Sequence, residues 1–126
     1  MIKQLNAVKE FHTAFEIGYS ESPKANLGES KNILRYNLMK EEHEEYLDAV
    51  QNNDLIEIAD ALGDMLYILC GTIIEHGLQD KIEAVFEEIQ RSNMSKLGSN
   101  GKPIYREDGK VMKGPNYFKP DFAKII

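Results

Sequence analysis

Three acidic residues interrupt an otherwise apolar stretch that runs from Leu55 to Ile74. Glu57, Asp60 and Asp64 follow one another at spacings of three and four, so in a helix they fall within an arc of roughly 60°. Taking an ionised carboxylate out of water costs several kcal/mol unless it is paired or binds a metal. The stretch contains no Lys, Arg or His that could pair with them. A divalent cation is therefore the leading candidate for their partner.

A second group of acids lies on the apolar line of the preceding segment. That line runs from Leu34 to Ala49, and Glu41, Glu42 and Glu45 occupy positions on it where further leucines would be expected. A run of acids usually forms an exposed charged face. Here the helical phase of these three acids places them on the core side, so they are predicted to be site residues.

A short polar turn, Asn52-Asn53-Asp54, separates the two acidic groups, and Asp54 is a predicted N-cap for the helix that follows. So short a connection predicts an antiparallel helical hairpin. The first group lies eight to twelve residues before Asn53 at the centre of the turn, and the second lies four to eleven residues after it. At a rise of about 1.5 Å per residue, the two groups can face each other at the same height.

Apolar periodicity predicts four helices, and the fold class is therefore expected to be all-α. The expected ranges are about 2–18, 29–52, 55–76 and 80–94, with Asp80 capping the fourth helix. The third helix is apolar nearly all round, so it should be buried on almost every side. The buried side of the fourth helix is expected to carry Ile82, Val85, Phe86 and Ile89. His12 is expected to be a hydrogen-bonded structural histidine.

Residues 95–126 differ in character, because they contain three of the four prolines and read as loops with a small hairpin around Asp108-Gly109. Charge changes as well. Residues 1–90 hold 18 acids and 7 Lys or Arg, whereas residues 91–126 hold 3 acids and 8 Lys or Arg. An acidic body with a basic tail suits a site that holds cations and also binds polyphosphate. The alternative is an acidic protein that merely has a basic terminus.

Cysteine content and hydropathy indicate the compartment. Cys70 is the only cysteine, so no internal disulfide can form, and its apolar surroundings predict a small buried side chain. The residues after Met1 mix charged and apolar positions, unlike a signal peptide. The longest uncharged apolar run, Met65 to Ile74, is far shorter than the roughly 20 residues that span a bilayer. We expect a cytoplasmic protein with neither a membrane nor a nucleic-acid partner.

The ligand types select among metals. A di-iron bundle uses Glu-x-x-His pairs, but Lys40 stands three residues before His43 and Ile73 stands three before His76. All-oxygen ligation favours Mg²⁺ or Mn²⁺ instead. The sequence also lacks a Walker-type glycine loop. Phosphates would therefore be held by the metal and by basic side chains.

These residues resemble a known signature. Glu41-Glu42-x-x-Glu45, followed by Glu57-x-x-Asp60 and Asp64-Met-Leu-Tyr67, is similar to the motif of the all-α nucleoside triphosphate pyrophosphohydrolases, which include MazG-like proteins, dimeric dUTPases and phosphoribosyl-ATP pyrophosphohydrolases. The resemblance runs from Phe11 to about Gly77 and extends into the segment 91–96. In the register that matches Asp64, the family's Glu position is Ala61. The register of Glu57 with Asp60 keeps the Glu-x-x-Asp spacing, so both registers remain open.

The resemblance implies a four-helix bundle-like MazG-type core over residues 1–94, with a basic loop-rich extension over 95–126. It implies Mg²⁺-dependent cleavage of a nucleoside triphosphate between the α and β phosphates, with dUTP or non-standard nucleotides as candidate substrates, in a homodimer or homotetramer. The implied metal ligands are Glu42, Glu45, Glu57, Asp60 and Asp64, with Glu41 as the catalytic base. The implied substrate-binding residues are Asn93, Lys96, Lys110 and Lys113.

Two other functions remain open. One is hydrolysis of phosphoribosyl-ATP in histidine synthesis, which the tail does not exclude. The other belongs to a different class: a non-catalytic helical module that binds a partner through its acidic hairpin. Such a module would have no need of Mg²⁺, so metal titration separates it from both enzymes.

Overall fold

Four helices make up the regular structure of this computed structural model, which describes residues 1–126. They are α1 (Ile2–Ala14), α2 (Glu29–Gln51), α3 (Leu55–Glu75) and α4 (Ile82–Met94). An isolated antiparallel bridge between Tyr105 and Val111 forms the predicted small hairpin. The prediction of an all-α fold is confirmed. None of the four helices combines the length and the apolar character that crossing a membrane requires.

The ends of the helices follow local backbone chemistry. The Asp54 carboxylate accepts a hydrogen bond of 3.1 Å from the amide of Glu57, which confirms it as the N-cap of α3. Helix α1 ends at Ala14, before the predicted Gly18, because Glu16 takes a left-handed conformation with a φ of 57°. The predicted cap of α4 is wrong, since that helix begins at Ile82 and Asp80 makes no cap bond.

Contacts within the chain define two units, Met1–Asp80 and Lys81–Ile126, which are described separately. In the first unit α3 packs against both α1 and α2. The α2–α3 hairpin carries the buried small residues Ala49 and Ala61 near its turn. The rest of the apolar core of this unit consists of Leu5 and Val8 on α1 and of Cys70, Ile73 and Ile74 on α3. The predicted burial of Cys70 is thus confirmed.

Helix α3 is not buried on almost every side within the single chain. Its C-terminal half carries most of the core, but Leu55 and Ile56 are 76% and 80% exposed. Leu62, Leu66 and Leu69 are exposed as well. The expectation of general burial was wrong for one chain, because a hairpin and one further helix offer too little surface to cover all sides of α3.

A loop between α1 and α2 folds over the C-terminal end of α3. The amide of Ser20 donates to the Ile74 carbonyl at 3.0 Å, and the amide of Lys24 donates to the His76 carbonyl at 2.8 Å. Gly77 has a φ of 68°, and a Cβ there would overlap the carbonyl oxygen of Ser22. The chain therefore needs glycine at this position for two reasons, conformation and space.

The second unit is held together by hydrogen bonds between α4 and the tail. Ser92 Oγ donates to the Phe118 carbonyl at 2.8 Å, and the amide of Asp121 donates to Glu88 Oε1 at 3.1 Å. The Arg91 guanidinium pairs with Glu88 and lies 4.2 Å from the centre of the Phe118 ring. By these contacts α4 groups with the tail, whereas the boundary predicted from the sequence lies after residue 94.

The predicted apolar side of α4 needs correction. Ile82 and Val85 are half-buried, but Phe86 is 69% exposed and Ile89 is also exposed, and the buried residues of the helix are Glu88 and Ser92. Periodicity identified the apolar stripe of α4, but the tail covers the neighbouring polar residues Glu88 and Ser92 instead. The most deeply buried residues of α4 are therefore polar.

Glu88 should control how firmly the tail is attached. Its hydrogen bond with Arg91, and then that with the Asp121 amide, lower its pKa to about 2 from an ordinary 4.5. A lowered folded-state pKa stabilises the protein above about pH 4.5, and this contribution is lost as pH falls through about 2. Glu88→Gln should accelerate amide exchange at Asp121 several-fold at pH 7, whereas Glu87→Gln on the same helix should not. Equal protection in both variants would contradict this role.

Candidate metal centre

Three carboxylates from the two arms of the hairpin meet at one point. One oxygen of Glu42, one of Glu45 and one of Asp64 all lie within 4.8 Å of one another, and we call these residues the acid cluster. Glu42 lies eleven residues before Asn53 at the centre of the turn, and Asp64 lies eleven after it. The antiparallel packing of α2 on α3 therefore places them at the same height, as the sequence predicted.

The electrostatics of the acid cluster are unfavourable without a cation. The pKa of Glu42 is raised to about 7, first by desolvation and then by a hydrogen bond with the Glu45 carboxyl. The charges of Glu45, Asp64 and Asp60 raise it further. Glu42 Oε2 is buried and has no hydrogen-bond partner. An unpaired buried oxygen in an all-oxygen donor set fits a hard divalent cation such as Mg²⁺.

A cleft of about 410 Å³ continues from the acid cluster toward the turn. Its lining residues are Glu45, Asp48, Ala49, Asn52, Asp54, Glu57 and Asp60. Of the three acids predicted on α3, Asp64 thus lies in the acid cluster, while Glu57 and Asp60 line the cleft. Asp48 and Asp54 also line it, and sequence analysis had not assigned them to the site.

Of the remaining predicted site residues, one lies on α2 and four belong to the second unit. Glu41 is exposed on α2, beside Glu42 in sequence. In the second unit Asn93 and Lys110 are exposed, and Lys96 is half-buried with its carbonyl accepting from the Gly114 amide. The Lys113 ammonium lies 4.8 Å from the centre of the Tyr117 ring. Their catalytic and substrate-binding roles stay predictions.

Sequence analysis missed a buried ion cluster, formed by Lys31, Arg35 and Glu75, at the opposite end of the hairpin. Glu75 is 1% exposed, with Lys31 Nζ at 2.8 Å and Arg35 Nε at 3.0 Å from its oxygens. A polar pocket of about 170 Å³ lies beside it, lined by Lys31, Glu75 and the α1–α2 loop. The sequence did contain one signal for this cluster. Glu75 directly follows the apolar stretch 55–74, and a buried carboxylate there needs a cationic partner.

Next to this cluster, His12 has the structural role predicted for it. It is buried, and its Nδ1 lies 2.9 Å from the Gly18 carbonyl, to which it donates. The hydrogen bond fixes the ring in the turn that follows α1. His12 therefore takes no part in the acid cluster.

Comparison with known proteins identifies the family. The family model of phosphoribosyl-ATP pyrophosphohydrolase (PRA-PH) matches residues 8–93, and the chain belongs to this family.

Two relatives show how far the similarity extends. An uncharacterised protein of Acanthamoeba polyphaga mimivirus is 39% identical over 83 residues, which are 64% of this chain and 33% of that protein. The chain thus spans about a third of that relative's length. A solved structure from Exiguobacterium sp. 255-15, described as a candidate NTP pyrophosphohydrolase, is 28% identical with a TM-score of 0.49 over 93% of this chain and 88% of that one.

Family membership confirms the resemblance that the sequence predicted. Of the motif that carried the resemblance, the fold brings together Glu42, Glu45 and Asp64 from the two arms of the hairpin.

Glu42 should make the stability of the metal-free protein depend on pH. Between its ordinary pKa of 4.5 and its folded-state pKa of about 7, the folded chain keeps a proton that the unfolded chain has lost. The free energy of unfolding therefore falls as pH rises through this range. Glu42→Gln should raise the melting temperature at pH 8 by a few degrees, about 1 kcal/mol after allowing for solvent screening. Glu44→Gln is the exposed control, and equal pH slopes for wild type and Glu42→Gln would refute the assignment.

Proposed function

We propose that this protein is a Mg²⁺-dependent nucleoside triphosphate pyrophosphohydrolase that cleaves between the α and β phosphates, releasing a nucleoside monophosphate and pyrophosphate. The observation that carries the proposal is the acid cluster, in which carboxylates from α2 and α3 converge around an unpaired oxygen of Glu42. Membership of a pyrophosphohydrolase family supports the reaction class.

In this proposal Glu42, Glu45 and Asp64 hold the cation, and Asp60 contributes negative charge beside them. When bound, the cation neutralises phosphate charge and assists the attack of water. The cleft between the cluster and the turn is lined by acids, so a triphosphate is repelled from it until cations bind. The metal requirement thus follows from the charge of the chain's own residues.

Glu41 is the proposed general base. It is adjacent to Glu42 on α2 but does not belong to the acid cluster, so a cation held by that cluster leaves its carboxylate free to accept a proton. The expected specificity is for dUTP or a non-standard nucleotide. A second candidate substrate, phosphoribosyl-ATP, is favoured by the description of the matching family.

Removing a proposed metal ligand should abolish both metal binding and turnover. Millimolar Mg²⁺ should raise the melting temperature of the wild type, because it binds only the folded state. Asp64→Ala should lose this effect while remaining helical, and its rate of pyrophosphate release should fall by on the order of 10² or more. Glu44→Gln, also on α2 and outside the acid cluster, should behave as wild type.

The same assay separates the substrates. A panel of nucleoside triphosphates and phosphoribosyl-ATP, followed by release of pyrophosphate, identifies which one is turned over. Melting that is indifferent to Mg²⁺, together with no turnover of any member, would favour the non-catalytic helical module.

We also propose that the protein assembles as a dimer or larger oligomer through the exposed apolar side of α3, which includes Leu62, Leu66 and Leu69. Light scattering should give at least twice the chain mass of 14.4 kDa at micromolar concentration. Leu66→Lys should shift the mass toward that of one chain, whereas the volume-conserving Leu66→Met should not. A wild type of 14.4 kDa throughout would exclude this assembly.

A further inference from the structure

We propose that Arg35 is a positioning residue, which fixes α2 along α3 so that the carboxylates of the acid cluster face one another. The inference rests on the proposed function in so far as the acid cluster holds a cation. It concerns a residue that lies two helical turns away from Glu42 and touches none of the three carboxylates.

The Arg35 guanidinium contacts α3 at three places. Its Nε donates to Thr72 Oγ1 at 3.1 Å, and its Nη2 donates to the Ile68 carbonyl at 2.9 Å. Its Nε also lies 3.0 Å from Glu75 Oε2. These partners span two turns of α3, and Arg35, which joins them, is only 7% exposed. A planar fork with fixed donor directions can satisfy such a set in one position along the helix.

The partner charge is buried more deeply than Arg35 itself. Glu75 has Lys31 Nζ at 2.8 Å, and Lys31 in turn donates to the Ile17 carbonyl at 3.0 Å. Neither contact with the Glu75 oxygens has the alignment of a hydrogen bond, so the carboxylate is held by charge. A buried ion pair adds little net stability, but it strongly penalises arrangements that separate its members. That property suits a residue that sets the relative position of two helices.

The space around the guanidinium is equally restrictive. A Cβ on Gly71 would lie 2.6 Å from Arg35 Nη2 and 2.9 Å from His12 Nε2. His12 cannot withdraw freely, because its Nδ1 donates to the Gly18 carbonyl. Helices α1, α2 and α3 thus meet at Arg35, with glycine on α3 leaving room for its head group.

The positions of Arg35 and of the acid cluster belong to the same register. Arg35 lies eighteen residues before Asn53 and Gly71 lies eighteen after it, while Glu42 and Asp64 each lie eleven residues from it. Sliding α2 by one turn along α3 would move it by about 5.4 Å. That distance exceeds the 4.8 Å within which the three carboxylate oxygens now lie.

The turn alone fixes only one end of the hairpin. Between the turn and Arg35, the acid cluster places like charges on opposite helices, and these repel when ionised. The attraction between Arg35 and Glu75 acts at the other end and opposes separation there. We therefore expect the cation affinity of the cluster to depend on Arg35.

Three variants test this at a temperature where all remain folded by circular dichroism. Arg35→Lys keeps the charge but loses the fork, and Gly71→Ala displaces the fork without changing charge. Val8→Ala, in the buried core of α1 and outside the ion cluster, is the control for lost stability. Isothermal titration with Mg²⁺ should show affinity weakened on the order of tenfold in the first two variants, a size typical of mutations that act on a site through packed side chains without touching it. The Val8→Ala protein should match wild type.

Mg²⁺ affinities that are equal in Arg35→Lys and Val8→Ala would overturn the inference and leave the proposed function intact. A wild type that binds no Mg²⁺ would instead refute the metal site of the proposed function. The inference is then decided by nuclear Overhauser contacts between α2 and α3 in metal-free protein. These should change in Arg35→Lys and Gly71→Ala but not in Val8→Ala, and unchanged contacts in all three would overturn it.

Discussion

Repulsion between carboxylates across the α2–α3 interface is the constraint on which the rest of the hairpin depends. Two unit charges 4 Å apart near a protein surface interact by about 4 kcal/mol, a large fraction of the stability of a small domain. The chain lowers this cost by keeping a proton on Glu42, whose pKa is about 7. It also holds the two helices together on either side of the acids, with small buried residues near the turn and the Arg35–Glu75 pair at the far end. The folded hairpin therefore carries clustered carboxylates that a bound cation would stabilise.

The site was predictable from sequence where its determinants are local. The spacing of Glu42 and Glu45, the short turn capped by Asp54, and the position of Asp64 together determine which acids can meet. The Arg35–Glu75 pair was not predictable in this way, because its members are forty residues apart and periodicity cannot name the partner of a buried charge. The same limit of sequence-based prediction applies to helix α3. Its apolar composition predicts that it is buried, but not which part of the protein or which second chain covers it. The N-cap predicted at Asp80 is wrong because α4 begins only at Ile82, with Lys81 rather than Asp80 in the cap position.

The two contact units are stabilised by different means. Residues 1–80 combine an apolar core with a buried ion cluster, whereas residues 81–126 bury few apolar side chains and depend on hydrogen bonds of Glu88 and Ser92. Segments with few buried apolar contacts open at lower free energy than the core of a domain. The basic part of the chain is thus expected to open locally more readily than the acidic hairpin.

The two glycines inside α3 carry a consequence for stability engineering. Glycine in a helix interior costs up to about 1 kcal/mol relative to alanine, so helix propensity alone would recommend replacing both Gly63 and Gly71. A Cβ at Gly63 meets nothing within 4 Å, whereas one at Gly71 meets the Arg35 guanidinium and the His12 ring. A redesign based on consensus or helix propensity would therefore treat the two positions as equivalent. Only Gly63 has room for a methyl group. A thermostabilised version of this protein should keep Gly71 even where every scale of helix preference argues against it.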